Sequence, residues 1–413
     1  MIIQNQKCRH CSHDLEEVID FGKMPIANAF LTQDQLDKEY FFNLTSMICP
    51  NCLLFQLKDQ PPANLLFHDN YAFFAETSEY MQIHFNNLAN ELIDRFELKQ
   101  SDIVAEIGSN DGGVIHYLNQ LGFNNVLGIE PSKNVCDRSI SKGLTMENSF
   151  FDYALTKKIK NRYPNFKFFL ALNTLAHIDN IYDVFQGVEN ILDPNGVFIS
   201  EDPYLFTVFD KVSYDQVYDE HVFIFSLTAM NNICENFSLN LFDVKPLNTA
   251  GGSMRYYISK NKNIKKSDNF NKYLQFEMNS HDDGELSIYK KFYDDCMKSK
   301  NSLNNFLDTH SNKTIASYGA TSKSTTIFNF CDIDSSQINY ITDTTSTKIN
   351  KLSPGKHIPI YDHKYFLDNM PDLCFLGAWN HKDEIFLKEK DLFSKKGKWF
   401  THIPNTNFIN DLY

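Results

Sequence analysis

The chain reads as an α/β protein: a central Rossmann-like sheet, a small cysteine-rich unit before it, and a second Rossmann-like α/β unit after it. Three observations predict this. Strand-like apolar runs alternate with helical stretches from Ile103 to about Ser259, which implies a mainly parallel, doubly wound sheet. Two Cys-x-x-Cys pairs, Cys8/Cys11 and Cys49/Cys52, stand ahead of that alternation. A second alternation begins at Thr314, after a polar stretch rich in lysine and asparagine. With 413 residues, 42% hydrophobic and 22% charged, the chain is long enough for two or three cores. The predicted divisions are 1–69, 70–262 and 263–413.

A formal charge of −13 disfavours nucleic acid and anionic membrane as partners, because phosphate-rich surfaces attract basic ones. No apolar run approaches the roughly 18 residues that span a bilayer, and the amino terminus lacks a charged-then-apolar signal pattern. A cytoplasmic protein is expected, as a monomer or small homo-oligomer. Nine cysteines, an odd count, do not suit a disulfide framework in such a chain.

Taken in order, the four amino-terminal cysteines form two knuckles, each able to place two thiolates on one tetrahedral ion. Zinc is the expected metal, and an all-cysteine set leaves no open coordination position, so the ion is structural. A redox role is the alternative, but one dithiol would suffice for exchange, and neither motif adjoins a thioredoxin-like βαβ pattern. His10 and His13 are able to replace a ligand, but read first as solvated loop histidines. Residues 60–100 begin with Gln60-Pro-Pro62, pass an aromatic stretch at Tyr71-Ala-Phe-Phe74 and continue as an amphipathic helix ending near Leu98, a linker and then a lid. Strands are expected at 103–107, 125–129, 166–172, 196–200 and 255–259, with Asp193-Pro-Asn-Gly196 as a turn. Residues 260–313 carry helical periodicity. Strands follow at 314–320, 337–343 and 373–378.

Val104 to Gly113 is a strand that runs into a glycine-rich turn opening a helix. Glu106 is the acidic residue near its end, Gly108 permits a tight turn, and Asn110 stands where a dinucleotide fingerprint would place its second glycine. A ligand without a pyrophosphate therefore suits the cradle better. Glu130 ends the next strand, placed to accept from both hydroxyls of a ribose. S-adenosylmethionine fits this description, with Glu106, Gly108, Asn110, Gly112 and Glu130 as its contacts; NAD is the alternative for these residues alone. Asn173-Thr-Leu-Ala-His177 follows a strand at the carboxyl edge, where open α/β sheets bind ligands, so Asn173 joins the cofactor set and His177 becomes a chemical candidate.

A denser cluster lies in Val212–Phe223, where Tyr218, Glu220 and His221 fall within four positions. Extended backbone would put Tyr218 and Glu220 on one face, whereas one helical turn would bring Tyr218 to His221. A histidine near its ordinary pKa removes a proton at neutral pH, and a neighbouring carboxylate orients it or binds a substrate amine or hydroxyl.

The order of the Cys-x-x-Cys pairs, Glu-Ile-Gly-Ser-Asn-Asp-Gly, Asn-x-Leu-Ala-His, Tyr-x-Glu-His and Gly-Gly-Ser-x-Arg resembles the nucleotide-sugar C-methyltransferases of deoxysugar biosynthesis. The likeness spans nearly the whole chain, including Gly319-Ala-Thr-Ser-Lys323, Ser353–Ile360 and Ala378-Trp-Asn380. It implies a zinc-binding amino-terminal part, a central methyl-donor domain and a carboxyl-terminal domain that helps hold a nucleotide-diphosphate 4-keto sugar. It also implies methylation at carbon beside a ketone, with His221 as base and Tyr218, Glu220, His177 and Tyr71 lining the sugar pocket. Arg255, Lys323, Lys348 and Asp343 are the expected substrate contacts, Arg255 foremost because a guanidinium forks onto phosphate. Two departures from the family pattern, Lys323-Ser324 and Asp343–Lys348, allow for a different nucleotide or sugar. An O-methyltransferase and a non-catalytic nucleotide-sugar-binding protein are the alternatives.

Overall fold

The structure, a computed structural model, describes residues 3, 4, 6–66, 74, 75, 78–281, 286–389 and 398–409. Tyr71 lies outside the described residues.

In the amino-terminal unit β1 (Glu16–Pro25), β2 (Phe41–Ile48) and β3 (Phe55–Leu57) form an antiparallel sheet. Its inner face buries Ile19, Phe21, Leu44 and Phe55. The fourth strand, Phe223–Ile224, comes from the middle of the chain and pairs with β3. That strand begins two residues after His221, so the amino-terminal sheet grips the segment carrying Tyr218, Glu220 and His221.

The middle sheet has seven strands: β4 (Val104–Ile107), β5 (Val126–Ile129), β6 (Met146–Glu147), β7 (Phe166–Leu172), β8 (Leu192–Pro203), β9 (Asn240–Leu247) and β10 (Ser253–Ser259). Their order is β9-β10-β8-β7-β4-β5-β6, and β10 alone runs against its neighbours. The near-continuous apolar runs of β4 and β7 follow from burial on both faces. Within β8, Leu192 pairs with Phe166 and Val197 with Phe168, so residues 193–196 loop out as the Asp-Pro-Asn-Gly signal anticipates. The sequence reading omitted β6 and β9; β9 carries Asp243, Lys245 and Pro246 on an edge, where such residues are tolerated and mask the strand signal. Winding reverses between β4 and β7, which opens a crevice at their carboxyl ends.

Helix α1 (Glu79–Asp94) starts at Ser78, whose side chain accepts from Met81 N–H, and buries Phe85, Leu88, Ala89 and Leu92 along one stripe. Helices α2 (Gly113–Gln120) and α3 (Lys133–Ser141) follow β4 and β5. The polar stretch after β10 forms α4 (Asp268–Ser280) and α5 (Ser287–Thr309). Glu277 of α4 is buried yet satisfied: it accepts from Tyr204 Oη and from the N–H groups of Leu227 and Thr228, all at 2.7 Å.

The carboxyl-terminal sheet contains β11 (Ile315–Tyr318), β12 (Tyr340–Thr342), β13 (Ile360–Tyr361), β14 (Leu373–Leu376), β15 (Lys398–Thr401) and β16 (Asn407–Phe408), in the order β13-β12-β11-β14-β15-β16. All are parallel except β16. A second switch point falls between β11 and β14, and α6 (Ser322–Cys331) starts there. The indole N–H of Trp379, just past β14, donates to Asp215 at 2.6 Å, so the carboxyl edge of this sheet faces the segment 214–221.

Candidate active site

At the amino end, Sγ–Sγ distances are 3.6 Å for Cys8–Cys52, 3.4 Å for Cys11–Cys49 and 3.5 Å for Cys11–Cys52, and all four sulfurs lie within 4.8 Å of one another. Zinc–sulfur bonds of about 2.3 Å in a tetrahedron space the sulfurs about 3.8 Å apart, so the set fits a zinc ion. Amide N–H of His10 points at Cys8 Sγ (3.4 Å), softening thiolate charge. His10 corrects its reading as a solvated loop residue: it is buried, and its Nε2 meets Asn236 Nδ2 at 2.9 Å. His13 remains exposed.

Following β4, Gly108 has φ of +60°, and a Cβ there would stand 2.5 Å from Thr174 Oγ1. Asn110 also takes a positive φ, its Oδ1 accepts from Ala75 N–H at 2.9 Å, and its own N–H donates to Glu130 at 3.1 Å. Glu130 accepts a second bond from Ser132 N–H at 2.8 Å, which fixes the carboxylate at the end of β5 while each oxygen keeps a lone pair. Gly112 is the residue before α2, with φ of 142°. Asn173, also at positive φ, lies at the end of β7; its Oδ1 is buried without a hydrogen-bond partner among the described residues. A turn closed to side chains, a fixed acidic residue and an orphaned amide oxygen suit the adenosine half of S-adenosylmethionine. Gly108→Ala is expected to weaken S-adenosylmethionine binding at least about tenfold by calorimetry, through both strained backbone and the clash with Thr174. Unchanged affinity would remove this turn from the cofactor site.

Glu106, expected among the cofactor contacts, sits instead beneath that turn. It is buried, accepts from Ile115 N–H at 3.2 Å, and lies so near Gly113 that a Cβ there would be 2.3 Å from it. Burial pushes its carboxyl up to about 8 despite the pull of the Ile115 and Val114 N–H groups. A carboxyl with a raised folded pKa contributes stability fully below its unfolded value of about 4.3 and loses it as pH rises through the folded value. Wild-type melting temperature is therefore expected to fall between about pH 5 and 9 by more than that of Glu106→Gln. Parallel curves would contradict the raised pKa.

In the segment 214–221, His221 N–H bonds to Tyr218 C=O at 2.9 Å, so the helical-turn alternative holds. Tyr218 Oη and His221 Nε2 are 2.9 Å apart, and His221 Nδ1 lies 2.7 Å from Gln216 C=O. A carbonyl only accepts, so Nδ1 carries the proton, Nε2 keeps its lone pair and the tyrosine donates. Burial, reinforced by His177 and Lys323, holds His221 well below the usual imidazole range, while burial holds Tyr218 well above the phenol range. His177 Nδ1 bonds to Glu220 C=O at 2.7 Å, and the two imidazole centroids are 5.1 Å apart. Glu220 accepts at Oε1 from Asn28 Nδ2 at 2.6 Å.

Lys323, near the start of α6, is half-buried; it makes no hydrogen bond among the described residues, and desolvation lowers its pKa against the pull of Asp215. Lys348 Nζ donates to Ala320 C=O at 2.8 Å, and desolvation lowers its pKa against the pull of Asp343 and Glu220. Asp343 accepts from Ala320 N–H and Thr345 N–H, each at 2.8 Å, tying the turn after β11. Arg255 requires correction as a phosphate contact. Its Nε meets Glu201 Oε1 at 2.5 Å in a buried pairing and its Nη1 meets Glu91 Oε2 at 2.7 Å in a part-buried one, so its fork is already committed to carboxylates. The cluster thus gathers all three units: Asn28 from the first, Tyr218, Glu220, His221 and His177 from the second, Lys323 and Lys348 from the third. Asp215, Gln216 and Asn28 were not singled out from the sequence. Asp215 and Gln216 carried a signal in their nearness to His221, but Asn28, 192 positions from its partner, carried none.

Three family models match consecutive parts of the chain: a zinc binding domain over residues 8–67, a methyltransferase domain over 79–244, and a C-methyltransferase C-terminal domain over 248–404. Zinc-supported methyltransferase is the class that fold and site define. The C-methyltransferase NovU of Streptomyces niveus is 27% identical over 408 residues, covering 98% of this chain and 97% of NovU. The chain belongs to the S-adenosylmethionine-dependent C-methyltransferases that carry an amino-terminal zinc-binding domain. Among solved structures, magnesium protoporphyrin IX methyltransferase of Synechocystis with bound S-adenosylmethionine is 12% identical, covering 44% of this chain and 79% of its own, with a TM-score of 0.34. A methyltransferase of Anabaena variabilis is also 12% identical, covering 43% and 84%, at 0.34. Among the described residues, no helix is long and apolar enough to cross a membrane.

Proposed function

We propose that the protein methylates a carbon next to the ketone of a nucleotide-diphosphate-linked 4-keto sugar, with His221 as the base. The observation that carries this reading is the buried Tyr218–His221 pair, in which the Gln216 carbonyl leaves Nε2 basic. Carbon is a poor nucleophile until a proton is removed, and a C–H beside a ketone is acidic enough because an enolate forms. Bound S-adenosylmethionine supplies an electrophilic methyl group on a sulfonium centre. The chain's own residues do the rest. His221 Nε2 takes the proton from the sugar carbon, and desolvation keeps that nitrogen unprotonated beforehand. As the acceptor enters, Tyr218 Oη, a firm phenol, turns its hydrogen from Nε2 toward the oxygen on which charge develops and so frees the Nε2 lone pair, with Tyr71 as a further donor, while His177, whose one ring N–H is spent on the Glu220 carbonyl, lines the pocket. Glu220 binds a hydroxyl or amino group of the sugar. Lys323 faces the diphosphate and Lys348 stands beside it, both on the crevice edge of the carboxyl-terminal sheet, where Asp343 shapes the turn. Glu130, Asn110, Asn173, Gly108 and Gly112 hold the methyl donor, and Glu106 braces their turn from below. Enclosure by three units excludes water and aligns donor with acceptor.

Product analysis by mass spectrometry and NMR across a panel of 4-keto nucleotide sugars tests the reading. A carbon-bound methyl beside the ketone is the expected product. An oxygen-bound methyl, or no transfer to any sugar of the panel, would overturn it. The reading places the enzyme in the cytoplasm, where nucleotide sugars are assembled.

A further inference from the structure

Asn28 stands in a strap, residues 25–31, that leaves β1 and runs across both other domains. Ala27 N–H donates to Asp219 Oδ1 at 3.1 Å, Ala27 C=O accepts from Thr325 Oγ1 at 2.9 Å, and Leu31 pairs with Leu352. Lys348 Nζ lies 5.0 Å from the centre of the Phe30 ring. The strap is thus held at both ends. Between those anchors Asn28 Nδ2 donates to Glu220 Oε1 at 2.6 Å. An ionised carboxylate only accepts, so this bond sets the orientation of the amide, nitrogen on Glu220 and oxygen away from it. Asn28 is half-buried, and its Oδ1 takes no hydrogen bond among the described residues.

We propose that Asn28 is a positioning residue supplied by the zinc-binding unit: its Nδ2 sets the Glu220 carboxylate, and its Oδ1 accepts from a hydroxyl or amino group of the acceptor. The second half rests on the sugar reading above; the first does not. The zinc-binding unit thereby gains a direct part in acceptor alignment. Zinc fixes the sheet, the sheet fixes the strap, and the strap fixes Glu220. Among the described residues, the charged and titratable groups around Glu220 include Tyr218, Asp219 and His177 from the middle domain and Lys348 from the carboxyl-terminal one.

The test compares wild type, Asn28→Ala and Asn28→Asp as full-length, zinc-loaded proteins, with a sugar that wild type methylates. Asn28→Asp keeps the shape and sets a second carboxylate against Glu220, so that the pair holds one proton. At pH 8 its kcat/KM is expected to fall at least about tenfold and to recover toward wild type as pH drops to 6. Asn28→Ala is expected to lose about tenfold at every pH, with zinc content and S-adenosylmethionine affinity unchanged. A pH profile for Asn28→Asp parallel to wild type would overturn the proposal, as would an Asn28→Ala enzyme within about twofold of wild type. Thermal melts of Asn28→Asp read the Glu220 contact without any acceptor: they should lie below wild type at pH 8 and converge with it at pH 6. Converging melts with no turnover of any sugar by wild type would sink the sugar reading but keep the contact. Parallel melts would sink the contact.

Discussion

His221→Ala is expected to lose about 10²- to 10⁴-fold in turnover while binding S-adenosylmethionine as wild type does. The reason lies in the separation of the two sites within one sheet. The proposed donor cradle is built from the ends of β4, β5 and β7, whereas His221 sits in a turn beyond β8, held by Gln216 C=O and Tyr218 Oη. Truncation removes the only nitrogen lone pair that this pair presents and leaves the cradle untouched. Solvent deuterium incorporation at the sugar carbon should vanish together with methylation, because both require proton removal. Retained exchange with lost methylation would move the base elsewhere and leave His221 an alignment role. Tyr218→Phe should lose less, since it keeps the base and removes one donor toward the developing charge, a loss of about 10²- to 10³-fold.

Replacing Cys49 with serine, or stripping zinc with a chelator, is expected to abolish acceptor turnover and to leave S-adenosylmethionine binding within about threefold of wild type. Structural zinc contributes an apparent ~10–16 kcal/mol to the folding of small metal domains at neutral pH. Cys49 is fully buried and completes the tetrahedron opposite Cys11. Without the ion, β1 to β3 lose their anchor, the Phe223–Ile224 strand loses its partner, and the strap carrying Asn28 loses its hold on Glu220. The donor cradle shares none of these contacts. Metal analysis, calorimetry with S-adenosylmethionine and an activity assay on the same preparation check the outcome. Full turnover by zinc-free protein would show that the amino-terminal unit is dispensable to the site.

Much of the site was legible because its parts are local. The two knuckles, the turn from Glu106 to Gly113 and the cluster Tyr218–Glu220–His221 each fall within a few consecutive residues, so spacing alone exposes what they can do. Arg255 shows where local reading fails. Its chemistry suits phosphate, but Glu91 on α1 and Glu201 on β8 lie 164 and 54 positions away, and only folding brings them onto its guanidinium. Buried charge pairs with the nearest opposite charge, and no local pattern announces that neighbour. The edge strand β9 was hidden for a related reason, since its charged residues and proline are permitted by position in the sheet rather than by sequence period.

Amino-acid order by itself determined the α/β class, the four-cysteine cluster, and the candidacy of the turn after β4 as donor cradle and of His221 as base, because each depends on backbone periodicity or on residue types within one turn. Tertiary structure alone decided that Tyr218 faces His221 and that Lys323, unlike Arg255, makes no hydrogen bond among the described residues. It also decided that Asn28 reaches Glu220 across 192 positions. The physical reason is range: strands, knuckles and glycine turns follow from neighbouring residues, whereas hydrogen-bond partners, desolvation and the pKa shifts they cause depend on which distant surfaces are buried together.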